Sequence, residues 1–243
     1  MKRLNLNTKI STFIAMIINI ICSFFLIYFS FEGYKGIEFD YNTGHLIFTA
    51  LSFICLSVIM QNRTDCLFID NNLIRLSRIG SRRKALIFEL LKTIFYVYIY
   101  ECIGTISICI FAVLLKENLR AGDIAMMFIL GYLIKLFLII IQFIMDRIFT
   151  HNIGFMIICL LFLTLLLAGS GIYYFCENAQ DTELTSKLLI LNKLNLINYI
   201  SISRTNYLTD NILYPLSTVI GLNIISITAL FIKIKKLNLI PKE

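Results

Sequence analysis

Six apolar runs limit what this chain can fold into more than any other feature. They lie at 10–31, 45–61, 93–115, 124–145, 153–175 and 213–232. Crossing the hydrocarbon core of a bilayer takes about 20 helical residues, and each run is near that length. A single segment in lipid must satisfy its own backbone N–H and C=O groups, which a helix does. A membrane barrel needs alternating polar and apolar residues, and these runs do not alternate. The composition agrees: 58% of the residues are hydrophobic, only 15% are charged, and the mean hydropathy is +0.83. A soluble domain carries about a quarter charged residues. The expected fold is an all-α integral membrane protein with six transmembrane helices. One membrane domain spans 1–243, because no internal repeat or soluble segment interrupts it.

The net charge of +7 does not point to nucleic acid, because the basic residues cluster at the ends of the apolar runs. With the N-terminus inside, the segments 1–9, 62–92, 146–152 and 233–243 hold 3, 7, 1 and 4 Lys and Arg. The opposite loops, 32–44, 116–123 and 176–212, hold 1, 2 and 3. The positive-inside rule then predicts that both termini are cytoplasmic. Lys2, Arg3 and Lys9 resemble a signal-peptide n-region, but the run after them is too long and lacks an A-x-A exit. It reads as an uncleaved first span.

Catalytic and metal signatures are missing. Five of the seven cysteines fall within spans, Cys66 lies in the basic loop and Cys176 at the outer end of the fifth span. No extracellular disulfide framework and no CxxC zinc spacing follows from that pattern. His45 and His151 fall near opposite faces of the membrane. There is no HExxH, no GxSxG and no GxxxxGK[ST]. The chain is therefore not expected to be an enzyme, and any ATP chemistry must reside in another chain.

The loop 62–92 is the largest segment on the cytoplasmic side. Leu73, Ile74, Leu76 and Ile79 recur at helical spacing and are joined by Arg75 and Arg78. Asp70 or Asn71 can cap a short helix there, and Gly80 can end it. Such a helix shows apolar side chains and arginines to a docked ATPase, or lies on anionic lipid. Arg82, Arg83 and Lys84 follow as a basic cluster suited to the membrane surface in either case.

On these residues the chain resembles the permease subunits of ABC exporters of the ABC-2 class. It is similar in particular to small Gram-positive permeases linked to peptides, such as phenol-soluble modulin exporter permeases. The local match is DNNLIRLSRIGSRRKALIFELLK at 70–92, where Ser77, Gly80, Ser81, Arg82, Arg83 and Lys84 fit the pattern. The hydropathy plan of nearly the whole chain fits as well. The resemblance implies a coupling helix at Leu73, Ile74, Arg75 and Arg78 and a cytosolic ABC ATPase that binds ATP and Mg. It also implies a second permease subunit, residence in the bacterial plasma membrane and export of an amphipathic peptide.

Two charges lie inside spans. Glu101 is roughly 12 Å and Lys135 roughly 15 Å from the inner end of its helix at 1.5 Å per residue. A charge near the bilayer centre is costly unless paired or hydrated, so the two are expected to form a pair. The pair either fixes helix packing or lines a conduit; an ion-coupled carrier or channel would have to use it. Asn19, Gln142 and Asn223 are expected to bond between helices. In the outer segment 176–212, residues 183–200 are expected to form one interfacial or re-entrant helix. Its Asn192, Asn195 and Asn198 are expected to face water, and Leu188 and Leu191 to be protected. In ABC-2 exporters a comparable segment forms part of the extracellular gate, while a helix resting on lipid has the same pattern.

Overall fold

A computed structural model describes residues 2–30, 36, 43–68, 82–149, 153–178 and 182–234. Within them, side chains are described except at 2–8, 62–68, 82–86, 89, 147–148, 182 and 233–234. The described chain is all-helical, with no strand. Its long helices are α1 (Lys2–Tyr28), α2 (Thr43–Phe68), α3 (Arg82–Leu115), α4 (Ala121–Ile148) and α5 (Ile153–Asn178). After them come α6 (Thr182–Leu194), a 3₁₀ turn (Leu196–Ile200), α7 (Ile202–Leu208) and α8 (Leu213–Ile234).

Six of these helices are long and apolar enough to cross a membrane, over Lys9–Tyr28, Thr43–Gln61, Leu90–Leu115, Ala121–Asp146, Ile153–Asn178 and Leu213–Ile232. They coincide with the six apolar runs to within a few residues. The helices themselves outrun the hydropathy signal. α2 continues to Phe68 and α3 begins at Arg82, so both take residues from the 62–92 loop. No Gly or Pro interrupts 62–68 or 82–92. Helical hydrogen bonds need no lipid, so a helix can run past the end of an apolar run. Leu73, Ile74, Arg75 and Arg78 lie outside the described residues. Arg82, Arg83 and Lys84 occupy the first turn of α3, not a loop. At the start of α8, Asn211 Oδ1 accepts from the Leu213 N–H at 3.0 Å. Pro215 sits in the first turn, where a missing N–H leaves no intrahelical bond unmade.

α1 packs along α2 and α3, while α4 is the hub that meets α2, α3, α5, α8, the 3₁₀ turn and α7. Much of its middle is buried, at Leu130, Ile134, Leu136, Leu138, Ile139, Ile140 and Phe143, while Leu133, Phe137 and Ile141 stay partly open. One core joins Phe53, Ile134, Phe162, Leu166 and Val219, with Phe53 and Phe162 stacked at 4.1 Å. The outside is greasy: Val113 is 77% exposed, Phe13 65% and Leu160 64%. The buried set includes Asn19, Ser52, Ser57, Gln142 and Arg204. Apolar residues outside and polar residues within is the arrangement that lipid selects, since lipid offers polar atoms no partner.

Candidate functional site

Two polar constructions lie inside the bundle. The first joins α1 to α4. Lys135 Nζ on α4 stands 2.6 Å from Glu101 Oε2 on α3, and both side chains are nearly enclosed. The structure thus brings together the two charges that the sequence places at one depth. Room for the carboxylate comes from Gly131, one turn before Lys135, where a Cβ would lie 2.7 Å from Glu101 Oε1. Next to the pair, Asn19 on α1 donates to the Tyr100 carbonyl at 3.0 Å. Ser52 on α2 donates to Asn19 Oδ1 at 2.7 Å, and the Tyr100 hydroxyl donates to the Ser52 carbonyl at 2.8 Å. This ring ties three helices together. Deeper along α4, Gln142 and Ser57 exchange bonds of 2.5 and 3.1 Å. Asn223 on α8 donates to the Leu133 carbonyl of α4 at 3.0 Å. The three in-span amides therefore bond between helices, as expected from their cost in lipid.

The second construction is a re-entrant hairpin between α5 and α8. Its contacts with α5 run backwards in step. Cys176 Sγ lies 3.8 Å from the Thr185 carbonyl. Asn192 Nδ2 donates to the Gly169 carbonyl at 3.2 Å, and Asn195 Nδ2 to the Leu165 carbonyl at 2.6 Å. α6 thus runs antiparallel to α5, back into the bundle. Leu165 is 13 residues from the end of α5 at Asn178, or about 20 Å at the helical rise, near the middle of that span. There the helix stops, and Asn195 Oδ1 caps the 3₁₀ turn by accepting from the Ile197 N–H at 3.2 Å. α7 then climbs again, and Tyr207 meets the ring of Tyr173 at 5.0 Å between centroids.

Arg204 on α7 pins this hairpin to α5. It donates to Asn198 Oδ1 at 3.0 Å, to Ser170 Oγ at 2.6 Å and to the Leu166 carbonyl at 3.4 Å. Asn198 in turn donates to the carbonyl and side-chain oxygens of Asn192 at 2.9 and 2.7 Å. Gly169 permits the approach, since a Cβ there would fall 2.2 Å from Asn198 Oδ1. Gly169 and Ser170 serve the close approach, Gly171 faces open space, and the run does not break α5.

The expected facing of this segment is reversed. Asn192 and Asn198 are fully buried and Asn195 nearly so, whereas Leu191 is 55% exposed and Leu188 half-buried. The expected single helix over 183–200 is also broken at Asn195. Periodicity separates a polar from an apolar face, but it does not say which face meets protein. Here the apolar face is left open on the outside of the bundle and the amides fold inward onto α5. Arg204 was the residue that periodicity missed. Its signal was a lone basic residue twelve positions after Asn192, in a segment that also faces the small residues of α5.

Of the two histidines, His45 bonds the Leu26 carbonyl through Nε2 at 2.9 Å, and His151 lies outside the described residues. Among the described residues, no three His, Cys, Asp or Glu gather into a metal site. No family model, curated protein or solved structure matches this chain. Its six membrane-length helices define the class, a multi-pass membrane protein.

Proposed function

We propose that the chain is the permease subunit of an ATP-driven exporter of the ABC-2 class, with both termini in the cytoplasm. The observation that carries this reading is the hairpin that re-enters the bundle between the fifth and sixth membrane helices, at the end opposite the basic 62–92 segment. A translocation pathway needs a closure on one side and a docking site for its motor on the other. The hairpin supplies a candidate for the first, with Leu188, Leu191, Asn192 and Asn195 in it. The undescribed 69–81 segment, with Leu73, Ile74, Arg75 and Arg78, is the candidate for the second. Arg82, Arg83 and Lys84 gain nothing from the dipole at a helix N-terminus, which favours anions. Their placement answers to lipid headgroups or a partner outside the helix. ATP and Mg are bound by a separate ATPase, a second permease completes the pathway, and an amphipathic peptide is the favoured cargo. The test is co-purification in detergent with a P-loop ATPase encoded beside this chain, followed by an ATPase assay. A complex whose hydrolysis depends on this chain supports the reading; an ATPase that neither binds nor responds overturns it.

A second reading has its own observation. The Glu101–Lys135 pair lines a cavity within one subunit, where an ion-coupled carrier or channel would need its charged groups. Proteoliposomes that hold this chain alone and accumulate or release solute under an ion gradient, without ATP, would select it.

A further inference from the structure

Between α1, α2, α3 and α4 lies a cavity of about 70 Å3. Glu101, Lys135, Thr49, Ser52 and Thr105 line it, and Gly36 and Ile200 line it on the side of the hairpin. A buried water needs at least about 10–15 Å3 by this measure, so the space exceeds what one water requires and admits a small solute. The ion pair is only partly used. Glu101 Oε2 takes one bond from Lys135. Among the described residues Oε1 accepts none, and Nζ donates only this one of its three. Oε1 packs against Gly131, where a Cβ would lie 2.7 Å away, so this glycine sets where the carboxylate stands.

Two opposite charges 2.6 Å apart do not select a lone ion, since whatever one attracts the other repels. They select a dipole set antiparallel to their own. We propose that Glu101 and Lys135 form the recognition centre of a site for a small zwitterion, with its ammonium and carboxylate carried on one carbon. The ligand ammonium meets Glu101 Oε1, its carboxylate meets Lys135 Nζ, and the hydroxyls of Thr49 and Thr105 complete the lining. Each charge then has two opposite neighbours and the site remains neutral, which suits low dielectric. Nothing in this site requires an ATPase, so it stands or falls independently of the permease reading.

The test is thermal unfolding of the purified protein in detergent with glycine, methylammonium chloride or sodium acetate. Glycine should raise the midpoint along a saturable curve, whereas the two single ions should not. General exclusion of glycine from protein surfaces also stabilises, but without saturation. In Glu101→Met with Lys135→Met, which removes both charges together, the saturable part should vanish. Gly131→Ala, which crowds Oε1, should raise the half-saturating concentration about tenfold or more. A saturable shift that persists in the double variant overturns the proposal. So does the absence of any saturable shift in the native protein, which would leave a cavity filled by water alone.

Discussion

Among the described residues, Arg204 is the largest fully enclosed side chain. Its planar fork reaches Asn198, Ser170 and Leu166 at once, which a lysine ammonium at the same position does not reproduce. Arg204→Lys should therefore lower the thermal midpoint in detergent, with a loss on the order of 1.5–3 kcal/mol for each charge-assisted bond left unmade. A midpoint equal to that of the native protein would show that the fork does not hold the hairpin. Gly169→Ala probes the same joint from α5, since the added methyl meets Asn198 Oδ1 at 2.2 Å. Overpacking of this kind costs about 1–3 kcal/mol, and limited proteolysis of 182–212 should speed up. The Glu101–Lys135 pair calls for a cycle. Removing one partner strands a buried charge and costs about 3–5 kcal/mol, so either single change should be worse than the double. Additive losses in the cycle would mean that the two charges do not act as a pair.

α6 reads correctly as a helix and wrongly as to which way it faces. The spacing of Asn192, Asn195 and Asn198 has the same angular pattern on a water-facing helix as on one folded into protein. What decides is the partner, and here the Gly169 and Leu165 carbonyls of α5 take the amides. Cysteine labelling separates the cases after the native cysteines are removed. Asn192→Cys and Asn198→Cys should be protected from a membrane-impermeant reagent added from either side. Leu191→Cys should react with a lipid-soluble maleimide, because that face is open. Fast reaction of Asn192→Cys and Asn198→Cys with the impermeant reagent would mean that the hairpin leaves the bundle in the membrane. α2 and α3 teach a related lesson. Hydropathy marks where lipid begins, not where hydrogen-bonded helix ends, so both helices continue into the basic segment.

At the scale of the whole molecule, the described ends of the basic segment, in α2 and α3, lie at the end opposite the hairpin. On the proposed exporter reading, replacing Leu73 and Ile74 with Asp should abolish binding of an ATPase while leaving membrane insertion intact. Retained binding with retained transport would assign the segment to the lipid surface. The sequence alone determined the class, the six spans and the pairing of Glu101 with Lys135. Those follow from terms that each segment carries by itself: the length of an apolar run, the need to satisfy every backbone group, and the cost of a lone charge in lipid. Only the tertiary structure decided that α4 is the hub, that the hairpin descends to Leu165 and that Arg204 closes it against Gly169 and Ser170. These depend on which surfaces meet across long stretches of chain, from 23 residues between Asn192 and Gly169 to 90 between Asn223 and Leu133. A linear pattern has no term for that meeting, because the same amide is equally satisfied by water or by the carbonyl of a neighbouring helix.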